Sequence, residues 1–376
     1  MARAWMAAGG VAVDEAIDPA DEMLLTIADY PRVEPQHDLL EYFRAGHEAR
    51  LCLEHALAAA GRRLADTRAL LDFACGYGRV TRHLVQALDP ARIWSADVLT
   101  GGVDFVSRRF GVHGLVSHSD PARLELPRRY DVIWVGSLFS HLPRRSFAAW
   151  LTRLLDALSD DGLLVFTTHG PDVVPEVPKD PSGFTFVARS ESRTLDTEEY
   201  GATFVAPSVL ADIARECGVV ALAGNQADLW WIQDLWVAAR APVPGLANLA
   251  RAPLVRGKID HLKIEPVPGG PAASTHRAWI GGWTLCASHD APVREVQVLM
   301  DGQAVAAAEL LPGDPAQTLL PGCEHAVWRL HGDVSALPAG RHVIAATAVA
   351  GAGRRFALDA RIFDHVPGQP LLWTEA

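Results

Sequence analysis

The run Leu71-Asp72-Phe73-Ala74-Cys75-Gly76-Tyr77-Gly78-Arg79 joins an apolar segment to a helical one. Glycines at a strand-to-helix turn let a ligand approach backbone N–H groups, and the helix N-terminus favours an anionic group. The third glycine of the dinucleotide G-x-G-x-x-G pattern is missing, with Thr81 in its place. That disfavours a pyrophosphate and leaves nucleoside cofactors that lack one. Asp97 stands 21 residues beyond Gly76, the offset at which a carboxylate meets ribose hydroxyls in βαβ folds. Asp120 ends the region after the next strand, where a carboxylate could reach an adenine amino group. Taken singly, each acid also reads as a solvated loop residue or a helix N-cap. Three such features at consecutive strand ends read as a binding site.

The elements that must position these residues follow from periodicity. Leu39 to Leu57 carry an apolar helical face that stops near Gly61. Short apolar runs at 69–74, 92–96, 115–117, 130–135 and 163–168 read as strands. Helical patterns at 80–88, 102–110 and 145–158 alternate with them. Strand, turn and helix in repetition imply an α/β unit with a parallel, doubly wound, Rossmann-like sheet.

Of 376 residues, 49% are hydrophobic and 21% charged, enough apolar material for two or three cores. The formal net charge is −11 and no dense basic run occurs, which argues against nucleic acid and anionic lipid as partners. No stretch approaches a membrane span, and the N-terminus has no signal-peptide core. Five scattered cysteines without a CxxC pair fit a reducing, cytoplasmic setting. No spacing suggests metal ligation.

Over approximately Glu41 to Arg240 the chain resembles the class I S-adenosylmethionine (SAM)-dependent methyltransferases. The family's glycine-rich first motif matches Asp72-Phe73-Ala74-Cys75-Gly76-Tyr77-Gly78, with alanine where the first glycine often stands. The ribose-binding acid matches Asp97, followed by Val98, and the adenine-side acid matches Asp120. The segment from Asp131 to Leu142 looks like the fourth strand and active-site loop, which adds Gly136 and Ser137 to the expected cofactor contacts. Tyr42-Phe43-Arg44-Ala45-Gly46 is similar to the family's Tyr-x-x-x-Gly lid, so Tyr42 and Gly46 would cover the methionine end of SAM. Gln233-Asp234-Leu235-Trp236-Val237 fits the last strand.

Methyl transfer to a hydroxyl requires a base to take its proton, and histidine serves near neutral pH. His141, a few residues past the fourth strand, and His169, just past the fifth, are the expected bases. Each also reads as an ordinary loop histidine. Glu198, Glu199 and Tyr200, in a polar stretch after the fifth strand, are candidate substrate contacts or a solvated face. Trp231, beside Trp230, is a candidate stacking residue or a packing one.

Beyond Arg240 the texture changes. Residues 241–273 are rich in proline and glycine, including Pro268, Gly269, Gly270 and Pro271, and read as a linker. From 274 to 376, six short alternating strands and an Asp301-Gly302 hairpin signal imply an immunoglobulin-like β-sandwich. Gly282-Trp283, Val296-x-Val298-x-Met300-Asp301-Gly302 and Leu337-Pro338-Ala339-Gly340 resemble modules appended to bacterial surface-glycan enzymes. The expected organisation is a methyltransferase domain over 1–240, with a helical lid over 1–65, then the linker and the sandwich. The expected activity is O-methylation of a hydroxyl on a sugar or glycan intermediate. O- or N-methylation of a specialised metabolite, or SAM binding without catalysis, are the alternatives. A homo-oligomer is left open.

Overall fold

Helix α1 (Ala2–Gly9) precedes two further N-terminal helices, α2 (Glu22–Ala28) and α3 (Pro35–Ala59). The computed structural model describes residues 2–28, 35–189, 192, 194–267, 276–287, 292–313, 323–351 and 353–374. The chain divides into two compact units. One holds residues 13–33 and 41–252; the other holds 1–12, 34–40 and 253–376.

In the first unit the apolar runs form β1 (Leu70–Phe73), β2 (Ile93–Asp97), β3 (His113–Val116), β4 (Tyr130–Val135) and β5 (Leu158–His169). These lie parallel in the order β3-β2-β1-β4-β5. Every residue of β1 and β2 is buried, as expected of central parallel strands covered on both faces. The hairpin β6 (Phe184–Val187) and β7 (Ala202–Val205) pairs with β5 at His169 and Phe204. β8 (Ala221–Leu229) and β9 (Gln233–Ala239) extend the sheet, with β9 antiparallel to β5. Helices α4 (Thr81–Leu84), α5 (Thr100–Phe110), α6 (Arg144–Asp156) and α7 (Pro207–Glu216) complete the unit. The helix expected through residue 88 ends at Leu84 and continues as turns.

The strand order reverses between β1 and β4, and a crevice opens at their carboxyl ends. That is where open α/β sheets bind ligands. Among the described residues, no helix is long and apolar enough to cross a membrane, a statement that concerns helices only.

The second unit is an antiparallel sheet in the order β16-β15-β12-β13-β14-β11-β10-β17. Its strands are β10 (Val255–Pro266), β11 (His276–Cys286), β12 (Val293–Met300), β13 (Gln303–Pro312), β14 (Glu324–Asp333), β15 (Gly340–Ala350), β16 (Arg354–His365) and β17 (Leu371–Thr374). β13 pairs with β12 through Gln303–Ala308 and with β14 from Glu309 on. Ile259 N–H donates to Asp359 Oδ2 at 3.0 Å, so β10 meets β16 and the sheet curls nearly into a barrel. An antiparallel β unit therefore stands where a sandwich was expected, with two strands, β10 and β17, beyond the six anticipated.

The boundaries differ from those expected. Residues 2–12 belong to the β unit: Trp5, Met6 and Ala8 are buried, Trp5 Nε1 donates to Ala357 O at 3.0 Å, and Thr347 donates to Ala8 O at 3.1 Å. Residues 241–252 stay with the α/β unit, where Ala252 N–H donates to Asp228 Oδ1 at 2.9 Å. Most of the expected linker after Leu254 is strand β10. Its Gly257 is required because an added Cβ would lie 2.3 Å from Trp283 O. Pro268, Gly269, Gly270 and Pro271 lie outside the described residues.

Candidate functional site

A cavity of about 580 Å³ opens at the carboxyl ends of β1, β2 and β4. Its floor is the loop after β1. There Ala74 (φ 60°), Gly76 (φ 53°) and Gly78 (φ 78°) are all left-handed. Left-handed backbone suits glycine and strains any residue with a Cβ, so the alternate spacing of small residues is the conformational signature of this loop. Ala74 holds the same conformation as the glycines at a cost of roughly 1–2 kcal/mol. Nothing lies within 4 Å of where a Cβ would sit on Gly76, so bare backbone faces the space.

Asp97, at the end of β2, ties this loop to the neighbouring strand. Its Oδ2 accepts the Gly76 N–H at 2.7 Å and its Oδ1 accepts the Leu99 N–H at 2.9 Å. Burial raises its pKa, against the pull of those backbone donors. Asp72, inside β1, accepts from Thr81 Oγ1 at 2.6 Å, and burial pushes its pKa up to about 7. Burial, with the nearby Asp97 and Asp72 carboxylates, pushes the Cys75 thiol well up, so it remains a protonated packing group. Asp120 caps a short helical turn by accepting the Ala122 N–H at 2.9 Å. Ala74, Cys75, Val98, Gly136 and Ser137 share the wall with these acids. Asp21 and Glu22 add further carboxylates.

The opposite end is built by the loop after β4. Ser137 (φ 66°) and His141 line it, with Leu142, Arg145, Ser146, Glu199 and Tyr200. His141 Nδ1 lies 2.7 Å from Gly201 O. A carbonyl only accepts, so Nδ1 carries the proton and Nε2 of the neutral ring holds a lone pair. That Nε2 is 3.3 Å from Ser137 Oγ, and Tyr200 stacks on the imidazole at 4.5 Å between centroids.

Six expected site residues lie off the cavity wall. Tyr42 is fully buried, donating to Asp21 at 2.5 Å and accepting from Arg82 at 3.3 Å. At Gly46 a Cβ would lie 2.0 Å from Arg79 O, so it serves the close approach of α3 to the loop. At Gly78 a Cβ would lie 2.6 Å from the Phe110 ring. His169 sits behind Gln233, its Nε2 3.3 Å from the Gln233 amide nitrogen. Burial, with the His141 imidazole adding to it, lowers its pKa to about 4. Glu198 is exposed, its N–H turned to Asp196 Oδ1 at 3.0 Å. Trp231 yields the wall to Trp230, because the β8–β9 turn holds both tryptophans left-handed, at φ 53° for Trp230 and 65° for Trp231.

Sequence reasoning missed Arg79 and Gln233, and of the Trp230-Trp231 pair it favoured Trp231 where Trp230 lines the wall. Trp230 donates Nε1–H to Ala45 O at 2.8 Å, and the Arg79 guanidinium lies 4.5 Å from its ring centroid. Arg79 follows Gly78 directly, which was a usable signal; a Trp-Trp pair in a three-residue turn held at positive φ was not. Among the described residues, no group of three or more His, Cys, Asp or Glu could hold a metal ion.

The residues present fit SAM. Carboxylates at successive strand ends, Asp97 buried and Asp120 exposed, suit a ribose diol and an adenine amino group, and an acid-rich wall suits a cofactor bearing sulfonium and ammonium charges. A family model described as "Methyltransferase domain" matches residues 43–205. The chain is 28% identical over 102 residues to the malonyl-[acyl-carrier protein] O-methyltransferase of Acetivibrio thermocellus, covering 27% of this chain and 35% of that protein. It is 28% identical over 148 residues to the Bacillus cereus protein of the same name, covering 39% and 52%. It thus spans about half or less of these curated relatives. Among solved structures, a DhpI–SAH complex is 17% identical, with a TM-score of 0.38, covering 59% of this chain and 98% of that one. A SAM-dependent methyltransferase from Clostridium acetobutylicum is 12% identical with a TM-score of 0.38, covering 53% and 92%. Residues 43–205 of the α/β unit thus match a methyltransferase-domain model, and the residues lining its cavity fit S-adenosylmethionine as the cofactor.

Proposed function

We propose that the protein methylates a hydroxyl of a small polar acceptor, a sugar or glycan intermediate, with His141 as general base. The observation that carries this reading is the His141 tautomer. With Nδ1–H committed to Gly201 O, the basic Nε2 stands on the cavity wall beside Ser137. Bound SAM supplies an electrophilic methyl group on a sulfonium. Asp97 and Asp120 would hold its ribose and adenine, and Asp72 lines the floor beside them. His141 Nε2 would accept the proton of the acceptor hydroxyl, and Tyr200, stacked on the ring, keeps its plane fixed. Ser137, Ser146 and Glu199 offer hydrogen-bonding groups to a hydroxyl-rich molecule. The glycan class rests on the resemblance of the C-terminal strands to modules of surface-glycan enzymes.

A second reading is methylation of a carboxylate. Arg145 on the cavity wall could pair with one, and the curated relatives are named for O-methylation of a malonyl group. A carboxylate carries no proton to remove, so the two readings separate on one residue. Incubating a panel of sugars, glycosides and carboxylic acids with isotopically labelled SAM, followed by mass spectrometry, identifies the acceptor class. Label on sugars that falls at least 100-fold in His141→Ala supports the first reading. Label on acids, indifferent to that substitution, replaces it with the second.

A further inference from the structure

We propose that Gln233 is a positioning residue for the transfer: its amide, oriented by Thr167, donates to the Ser137 hydroxyl and holds it, with its loop, beside His141 Nε2. The proposal rests on the reading of His141 as base.

The direction of each bond can be assigned in turn. Thr167 Oγ1 accepts the Ser137 backbone N–H at 2.8 Å and donates to Gln233 Oε1 at 2.6 Å. With the amide oxygen on Thr167, both protons of Nε2 point outward. One donates to Ser137 Oγ at 2.9 Å; the other faces His169 Nε2 at 3.3 Å. An N–H can face that nitrogen only if it holds a lone pair. His169 is therefore neutral with its proton on Nδ1, an atom that is buried without a partner. Protonating His169 would set two donors against each other.

Ser137 Oγ, having accepted from Gln233, has one proton left to give. Its acceptors are His141 Nε2 at 3.3 Å and Ser140 Oγ at 3.2 Å. Ser140 spends its own proton on Ser137 O at 2.7 Å. Donation thus runs one way as far as the Ser137 hydroxyl, from the Ser137 backbone through Thr167 and Gln233, and the hydroxyl's own proton is left for His141 Nε2 or Ser140 Oγ. Gln233 is 3% exposed and sits on β9, the strand beside β5, so the amide is held in place from behind the cavity.

The test is Gln233→Glu, which keeps the shape but replaces a donor with an acceptor. The expected result has two parts. By NMR on the cofactor-free protein, the His169 ring titrates well above 4, at or beyond its ordinary 6.5, because a carboxylate now stabilises its charged form. In turnover, kcat falls about 10- to 100-fold with SAM affinity unchanged, as misoriented groups cost rate rather than binding. A His169 titration that does not move overturns the proposal. So does a moved titration with kcat unchanged at every pH. Undiminished turnover in His141→Ala overturns the base reading instead, and the NMR result, which needs no acceptor, distinguishes the two failures.

Discussion

Asp97 Oδ2 accepts the backbone N–H of Gly76 at 2.7 Å, joining the carboxyl ends of β2 and β1 across the floor of the cavity. The same carboxylate lines the space a ribose would occupy. One group therefore both shapes the loop and awaits the ligand. Replacing it with alanine should remove a charge-assisted contact worth about 1.5–3 kcal/mol. SAM affinity by isothermal titration should drop roughly 10- to 100-fold, while Asp120→Ala, an exposed cap, should weaken it less. Equal affinity in Asp97→Ala and the parent would remove Asp97 from the binding site.

Alanine in the left-handed conformation at position 74 is strained where its neighbours Gly76 and Gly78 are not. Ala74→Gly releases that strain but adds freedom to the unfolded chain. The net expectation is a gain of roughly 0.5–1 kcal/mol. Urea denaturation of the two proteins side by side reads it directly, and a loss of stability would mean the methyl group packs usefully.

The buried carboxyl of Asp72 sets a pH dependence. Its pKa is about 7 in the folded chain against 3.8 ordinarily, so the folded state holds a proton that the unfolded state releases between those values. The stability this group contributes is complete below about pH 4 and is lost as pH rises through 7. Asp72→Asn has no such proton. Relative to the parent, it should gain up to about 1.4 kcal/mol per pH unit across that window. Denaturation curves from pH 4.5 to 8 that stay parallel for the two proteins would contradict it.

Trp5, 2% exposed, anchors α1 on the strands of the β unit through Ala357 O. Trp5→Ala should destabilise that unit by about 3–5 kcal/mol, the usual cost of emptying a buried aromatic site. Hydrogen exchange should show faster opening of β15 and β16, while β1 and β4 in the α/β unit keep their protection. Loss of protection in β4 instead would contradict the assignment of residues 2–12.

The sequence by itself determined the cofactor floor. Short, mostly apolar runs such as Val132–Val135, glycines where the chain must turn, and acids at the strand ends are local properties, and local properties survive in one dimension. What lies across the sheet does not. Gln233 is separated from Thr167 by 66 residues, yet β9 folds antiparallel onto β5 and brings their side chains to 2.6 Å. His141 and His169 were indistinguishable as candidate bases until register put one on the cavity wall and the other behind Gln233. Tryptophans 230 and 231 differ only in which of two strained turn positions each fills. The N-terminal helix was assigned to its sequence neighbours, although its buried Trp5 packs against a strand some 350 residues away. In each case the deciding term is burial or a hydrogen bond between residues distant in sequence, whose partners only the folded chain brings within reach.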